Sequence, residues 1–292
     1  NESTTLDLSY EYADHERYID RGIPTENGEP VERFEKITFG GDDNLTTLKA
    51  NILRATLSKV FSDTRKGNLS IVSSDFEKMY KNYYASGYTA GATVVTMDGY
   101  LDPTERENTI ISGNIVNEVG NHTLLVGVEL IDTTNENFRY NTFWSTTSDD
   151  NEVFNITRPM DFSVNSAGVA TSNDYTADLK SKTKSDIDVT SFFIQDQIDV
   201  SDKLKLMIGG RHDSFDITVT DVKAGSAAAR KDTKFSPRAG VIFKPQDNIS
   251  WYYSYSESFL PRSGEQYKKL TASAAALDPD VYESSEVGVK WA

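Results

Sequence analysis

Apolar and polar residues alternate along several stretches of the chain with a period of two. In the stretch 122–130, every second residue is leucine or valine: Leu124, Val126, Val128 and Leu130. The same alternation occurs in 202–213, 235–243, 249–256 and 286–291. The opposite positions hold Arg, Lys, Glu, Gln, Ser and Gly. Because successive side chains of a β-strand point to opposite faces, these stretches predict strands with one apolar and one polar face.

The connections between these strands alternate between short and long. Short turns are predicted at 62–67, 120–122, 201–203 and 245–248. Long polar segments lie between them, at 15–44, 84–104, 137–182, 219–232 and 259–282. An outer-membrane barrel produces this alternation, since tight turns join its strands on the periplasmic side and long loops join them on the extracellular side. A soluble β-sandwich also alternates apolar and polar faces, but it has no reason to place every long loop at one end.

We therefore predict an all-β fold, an antiparallel transmembrane β-barrel segment of about ten strands with short periplasmic turns and long extracellular loops. The strands are expected near 3–14, 45–61, 68–83, 105–119, 122–136, 184–200, 203–218, 233–244, 248–258 and 283–292. The chain contains no apolar run of about 18 residues, the length that a transmembrane helix requires. Barrel strands need only about 9 to 11 residues and show a weaker hydropathy signal.

The composition narrows the possible classes of function. The chain has 45 acidic and 30 basic residues and a net charge of -15, which makes nucleic acid an improbable partner. It has no cysteine, which excludes disulfides and cysteine-ligated metal sites. An aromatic content of 11% argues against disorder, because disordered chains are poor in aromatic residues.

Several segments resemble those of one family. The sequence FIQDQIDVS at 193–201, followed by LKLMIGGRHD at 204–213, resembles a strand–turn–strand unit of TonB-dependent receptors. Segments 235–245, 252–262 and 282–291 are similar to the strands that follow it in that family, in the same order. Segments 20–24 and 259–267 resemble the catecholate-siderophore branch of the family.

The resemblance implies a receptor in the bacterial outer membrane that binds a ferric catecholate siderophore and takes it up with energy from TonB. The ferric siderophore would be the transported ligand, with no cofactor and no enzymatic activity. TonB would act through a plug domain, and outer-membrane lipid and lipopolysaccharide would surround the barrel. Two alternatives stay open: a passive porin or other barrel that does not need TonB, and a soluble β-sandwich binding module.

The resemblance also implies that residues 1–292 form a partial β-barrel domain, without the plug domain and the remaining strands. Barrels of this family have about 22 strands, and about ten are predicted here. The chain begins without an initiator methionine or a signal-peptide pattern, and it ends within an alternating stretch, so we expect it to be a piece of a longer protein. A closed ten-stranded barrel is the geometric alternative.

Catalytic and metal-binding motifs are not found in the sequence. The histidines are His15, His122 and His212, and no pair has the spacing of metal ligands or a place in a catalytic motif. The acidic segments 40–44 and 148–151 lack the ligand spacing of a calcium-binding loop. We therefore predict no metal site and no catalytic residues.

A ferric catecholate is a bulky anion with aromatic rings, so its site needs arginine or lysine for charge and aromatic residues for stacking. One predicted strand exit combines both types of residue: Arg139, Tyr140, Phe143 and Trp144. A second set lies on the next-to-last loop: Arg262, Gln266 and Tyr267. Arg21 and Arg106 are expected on two further loops. The alternative for each arginine is a surface ion pair in an acidic protein.

Overall fold

Ten long strands pair in sequence order as one antiparallel sheet. The computed structural model describes residues 3–261 and 270–291. The ten strands are β1 (Thr4–Tyr18), β4 (Leu45–Ser62), β5 (Arg65–Gly87), β6 (Val94–Val119), β7 (His122–Asn141), β9 (Asp178–Ser201), β10 (Leu204–Asp221), β11 (Ser226–Gln246), β12 (Ile249–Leu260) and β13 (Asp280–Trp291). Shorter elements lie in the connections: β2 (Thr25–Glu26), β3 (Glu29–Pro30), β8 (Glu152–Asn155), a 3-10 turn (Glu32–Phe34) and helix α1 (Ala272–Ala275). The predicted all-β antiparallel fold with about ten main strands is confirmed. No helix in the described part of the chain is long and apolar enough to cross a membrane.

One end of the sheet carries all four predicted short turns. The turns join β4 to β5, β6 to β7, β9 to β10 and β11 to β12, and none has more than two residues between the strands. This end corresponds to the periplasmic side of an outer-membrane barrel. At the sheet edges, β1 and β13 do not pair with each other among the described residues.

Two segments that were predicted as long loops are mostly strand. In 84–104, β5 continues to Gly87 and β6 already begins at Val94; in 219–232, β10 and β11 leave only four residues between them. Backbone hydrogen bonds hold these strand extensions together, and they do not require an apolar face. The prediction failed here because beyond the membrane no lipid requires an apolar outer face. Apolar side chains there, such as Val95 and Val219, instead pack against other parts of the protein.

The two faces of the sheet differ in chemistry. Near the short turns, one face exposes a band of large apolar side chains, and we call this the outer face. Its members include Leu69, Ile71, Ile111, Ile115, Val126, Leu130, Phe192, Ile194, Ile208, Phe243, Trp251 and Val289. Directly beyond the band, the same face carries acidic residues: Asp75, Glu107, Asp132 and Asp188. An exposed apolar band of this kind is the lipid-facing surface of a barrel, so the strand extensions project beyond the membrane.

On the outer face of the β5 and β6 extensions, the segments 19–44 and 142–177 pack together. Their contacts form the outer aromatic core, whose buried members are Phe34, Phe39, Tyr83, Val95, Met97, Trp144, Phe154 and Tyr175. Strand β8 adds to the sheet here by pairing with β6. The core gives two polar connections an apolar centre, and it fixes them against the sheet.

The described part of the connection between β12 and β13, from residue 270 onward, packs on the inner face of the sheet. Residues 270–277, which we call the inner strap, pack through Leu270 against a patch of aliphatic residues: Ile187, Val189, Ile217 and Val219. Arg230 on β11 donates hydrogen bonds to the carbonyl oxygens of Ala274, at 2.9 Å, and Leu277, at 3.0 Å. The same guanidinium makes a two-pronged ion pair with Asp232, and both side chains are only 7% exposed.

Candidate ligand-binding site at the extracellular mouth

Three tyrosines lie together on the inner face of the β5 and β6 extensions. Tyr80 and Tyr84 are four residues apart on β5, and Tyr100 lies on the neighbouring strand. The rings of Tyr80 and Tyr100 are stacked with centroids 5.8 Å apart, and Tyr84 meets Tyr100 edge-on at 6.2 Å. Because side chains alternate along a strand, Tyr83 points the other way and belongs to the outer aromatic core.

Arg21 reaches these tyrosines from the connection after β1. Its Nη1 donates to the hydroxyl of Tyr100 at 2.8 Å and to Oδ1 of Asn82 at 3.3 Å. Its guanidinium carbon lies 4.8 Å from the ring centroid of Tyr84. The local sequence builds the bend that directs Arg21 inward, since the N–H of Gly22 donates to Oδ1 of Asp20 at 2.8 Å. Gly22 has a φ of 81°, a left-handed conformation that favours glycine.

Arg139 approaches the same tyrosine from β7. Its guanidinium carbon lies 3.6 Å from the centroid of the Tyr100 ring, and its Nη1 donates to Oδ2 of Asp102 at 3.1 Å. Tyr100 therefore contacts two arginines that are far apart in sequence. We call the group formed by Arg21, Tyr80, Tyr84, Tyr100 and Arg139 the arginine–tyrosine cluster.

The charges of the cluster are unevenly balanced. Arg139 is paired with Asp102, whereas Arg21 forms no salt bridge with any described residue and contacts neutral partners. The hydroxyl of Tyr84 donates to Oδ2 of Asp98 at 2.8 Å. Burial, followed by the contact with Asp98, raises the pKa of Tyr84 to about 12, so this phenol stays neutral at physiological pH. The cluster thus offers aromatic faces and one guanidinium, that of Arg21, which forms no salt bridge with a described residue.

Arg106 was predicted on a loop, and the structure corrects this, because Arg106 lies within β6 on the inner face. Its Nε donates to Oδ1 of Asn135 on β7 at 3.1 Å. It is four residues from Asp102 along the strand, in the direction of the membrane. Arg106 therefore belongs to the inner wall below the mouth and not to the mouth itself.

The aromatic residues predicted beside Arg139 do not join the cluster. Tyr140 pairs with Leu101 on the outer side of the strand, and its ring stacks on that of Phe138 with centroids 6.5 Å apart. The next aromatic residue, Phe143, is half-buried after β7, and its N–H donates to Oδ1 of Asn173 at 2.7 Å. Alternation along β7 separates Tyr140 from the inner face.

Trp144 is also placed differently from the prediction. Its side chain is 1% exposed, and its ring centroid lies 4.9 Å from that of Phe154 in the outer aromatic core. A ligand at the mouth has no access to this ring, so Trp144 stabilises the packing of the connections. The remaining predicted residues, Arg262, Gln266 and Tyr267, lie outside the described residues.

The sequence analysis missed Tyr84 and Tyr100 because it assigned 84–104 to a loop, and it missed Tyr80 because the predicted strand 68–83 ended before its partners. A signal was present in the spacing of Tyr80 and Tyr84, which places both rings on one face if the segment is a strand. Tyr100 is likewise flanked at alternate positions by Asp98 and Asp102. A strand that continues beyond residue 83 places Tyr80 and Tyr84 on the same face.

Known proteins match this chain in both sequence and fold. A family model described as "TonB dependent receptor-like, beta-barrel" matches residues 1–292. The ferrichrome outer membrane transporter/phage receptor of Escherichia coli K12 is 30% identical over 190 residues, which are 64% of this chain and 23% of that protein. The chain therefore spans about a quarter of the length of this relative.

Two solved structures show the same fold. The siderophore receptor PiuA of Acinetobacter baumannii superposes with a TM-score of 0.78 at 19% identity, over 99% of this chain and 45% of that one. The closed form of the ferric-catecholate import receptor Fiu of E. coli K12 gives a TM-score of 0.76 at 15% identity, over 99% of this chain and 46% of the other. With the family model matching every residue, this chain belongs to the TonB-dependent receptor β-barrel family, a family of outer-membrane transport receptors and not of enzymes.

Proposed function

We propose that this chain forms the ligand-capturing wall of a receptor that binds a ferric siderophore at the cell surface and takes it up with energy from TonB. The observation that carries the proposal is the contact of one ring, Tyr100, with both Arg21 and Arg139 at the extracellular mouth. Membership of the TonB-dependent receptor family supports the mode of uptake. The matching relatives include proteins named for ferrichrome and for ferric catecholates, so their names alone do not select a ligand class.

We assign the ligand to the catecholate class because of the chemistry of the cluster. A ferric tris-catecholate is anionic, and its rings present flat faces. The stacked rings of Tyr80 and Tyr100 offer the matching surface, and the guanidinium of Arg21 has no carboxylate partner in the described chain. Arginine stacks on aromatic rings and pairs with anions, and it does both best where water is partly excluded.

The rest of the wall suits the passage and positioning of such a ligand. Arg106, on the inner face below the mouth, supplies a second positive charge further along the route into the barrel. The outer aromatic core keeps the strand extensions rigid, so the cluster is held in place before the ligand arrives. The plug domain and TonB would gate the passage. The apolar band would face outer-membrane lipid, and lipopolysaccharide would lie beside the acidic residues beyond it.

Binding to the full-length receptor that carries this chain tests the proposal. We expect Arg21→Ala to weaken binding of the ferric complex of 2,3-dihydroxybenzoate by about tenfold, the effect of about 1.4 kcal/mol. The matched control is Arg65→Ala, which removes the same charge at the periplasmic end, where Arg65 donates to Asn117. Equal affinity of the two variants and the wild type would contradict the assignment of the site.

Uptake separates the receptor from a passive barrel. Cells that carry the full-length receptor should accumulate radioactive iron from the ferric complex, and deletion of TonB should abolish the accumulation. A porin would continue to pass the complex without TonB. Uptake that does not depend on TonB would therefore refute the energy-dependent mechanism, even if binding were confirmed.

A further inference from the structure

An open groove crosses the apolar band of the outer face near the short turns. It has a volume of about 480 Å³ and lies over β4, β5, β6, β7 and β9. One row of cross-strand neighbours forms its middle: Leu57, Leu69, Gly113, Val128 and Phe192. Neither edge strand lines the groove, so strands that pair at the sheet edges do not cover it. The groove therefore faces whatever surrounds the apolar band.

The groove exists because Gly113 has no side chain in the middle of that row. Its neighbours on the same face of β6, Ile111 and Ile115, are 38% and 48% exposed and continue the apolar band on both sides. A Cβ atom on Gly113 would have its nearest neighbours at 3.8 Å, an ordinary contact distance, so packing within the chain does not require glycine here. Glycine within a strand often marks the close approach of another molecule.

Lys59 lines the side of the groove that is nearest to the turn between β4 and β5. It lies opposite Thr4 and Gly67 on the neighbouring strands, and its side chain is half-buried. Its Nζ donates to Oγ1 of Thr4 at 2.8 Å and to Oγ of Ser3 at 3.1 Å. Both partners are neutral, and Lys59 forms no salt bridge with any residue that the structure describes. A lysine at the border of a lipid-facing band calls for an anion from outside the chain.

The position of the groove selects the kind of molecule that fits it. The short turns correspond to the periplasmic side of the barrel, so Lys59 lies near the periplasmic surface of the membrane. A phospholipid has apolar acyl chains and an anionic phosphate at that surface, and one basic residue near an anionic lipid surface is attracted to it. The apolar lining and the single cation at the turn side of the groove match these two parts of one molecule.

We propose that this groove binds one phospholipid of the periplasmic leaflet, with an acyl chain over Gly113 and the phosphate at Nζ of Lys59. The acyl chain completes the apolar surface across the neighbouring strands, and the phosphate supplies the anion that Lys59 lacks within the described chain. The inference goes beyond siderophore uptake, since it depends on the outer-membrane location of the barrel and not on the identity of the transported ligand.

Lipid titration of the full-length receptor tests the contact of Lys59 with the phosphate. The delipidated receptor in detergent is titrated with phosphatidylglycerol, and native mass spectrometry counts the bound lipid. We expect Lys59→Gln to weaken binding of the first lipid about fivefold. The matched control is Lys49→Gln, which removes the same charge from the outer face of β4 beyond the apolar band, opposite Glu77. This control should bind the lipid as the wild type does.

A second variant tests the groove itself. Gly113→Leu places a side chain where the acyl chain is proposed to lie, and we expect it to weaken binding of the first lipid about tenfold. Ala55→Leu is its control, because Ala55 lies opposite Ile71 in the same band but does not line the groove. Circular dichroism shows whether each variant has kept its β-sheet content.

The outcomes decide between a lipid and other occupants. Wild-type lipid affinity in either Lys59→Gln or Gly113→Leu would overturn the proposal, since both parts of the lipid are required. A lipid-free dimer that Gly113→Leu dissociates would assign the groove to a second copy of the receptor and would also overturn it. Both variants should bind the ferric siderophore normally, so failure of this inference leaves the proposed function intact.

Discussion

The guanidinium carbon of Arg139 lies 3.6 Å from the ring centroid of Tyr100, whose hydroxyl accepts a hydrogen bond from Arg21. This one ring therefore joins a residue of β7 to a residue of the connection that follows β1. Each contact of an arginine with an aromatic face is worth about 0.5 to 2 kcal/mol. The arrangement fixes the two guanidinium groups at the mouth before a ligand binds. Substitution of Tyr100 is therefore the most direct test of the site.

Removal of the Tyr100 ring should weaken ligand binding more than removal of its hydroxyl. Tyr100→Ala deletes the surface on which Arg139 lies and the acceptor for Arg21, and we expect about tenfold weaker binding of the ferric dihydroxybenzoate complex. Tyr100→Phe keeps the ring and should cost about threefold or less. Isothermal titration calorimetry of the full-length receptor measures both. Equal losses for the two variants would show that stacking on Tyr100 is unimportant.

Trp144 should be required for the packing of the connections and not for ligand contact. Trp144→Ala removes a side chain that is 1% exposed, and such truncations cost about 3 to 5 kcal/mol. We expect faster proteolysis within 142–177 in the variant. Tyr140→Ala, which changes a partly exposed ring on the outer side, is the control and should leave the protease pattern unchanged. Protection of the segment in Trp144→Ala would contradict the structural role.

Arg230 should hold the inner strap in place. Arg230→Ala breaks the buried ion pair with Asp232, a loss of about 3 to 5 kcal/mol, and removes the donor to Ala274 and Leu277. Hydrogen exchange followed by mass spectrometry should show loss of protection in 270–277.

A double substitution separates two roles of Arg230: its hydrogen bonds to the inner strap and its contribution to the stability of the fold. Arg230→Met with Asp232→Leu removes both charges, and it should recover much of the stability because no unpaired buried charge is left. The inner strap should still exchange faster, because its two carbonyl oxygens have lost their donor. Wild-type protection of 270–277 in this double variant would show that the apolar contact of Leu270 alone holds the segment.

The phenol of Tyr84 should stay neutral to unusually alkaline pH. Burial, and then the contact with Asp98, raises the pKa of Tyr84 from 10.0 to about 12, so the stabilisation from the neutral phenol is complete below about pH 10 and is lost as the pH rises through about 12. Subtracting the alkaline absorbance titration of Tyr84→Phe from that of the wild type should reveal one tyrosine that ionises near pH 12. A difference centred near pH 10 would show that the phenol is not protected.

The local pattern of the chain was sufficient to predict the membrane-spanning part of the sheet. In stretches such as 122–130, one face must be apolar to meet lipid and the other need not be, so alternation is imposed by the surroundings of each strand. The short turns were predictable for the same reason, since they interrupt that alternation. The strand extensions, 84–104 among them, were missed because no lipid imposes an apolar outer face there, and their apolar side chains, such as Val95 and Met97, are covered by other connections of the protein.

The site was only partly predictable. Arg21 and Arg139 could be proposed as ligand contacts from residue type and position, because an anion with aromatic rings calls for arginine near a loop. Their common contact with Tyr100 depends on strand pairing across β5, β6 and β7, which no local pattern reveals. Trp144 was misassigned because an aromatic residue at the end of a strand can face either a ligand or a neighbouring connection. The local sequence does not distinguish these two positions.

The sequence by itself determined the class of fold, the direction of each strand and the end of the sheet that faces the periplasm, because these follow from the side-chain period and the lengths of the connections. The tertiary structure decided which side chains meet. The outer aromatic core and the arginine–tyrosine cluster both combine residues that are tens of positions apart in sequence. Their contacts are set by the register of the strands and by the packing of the connections. These contacts therefore stabilise the protein only after the strands have paired.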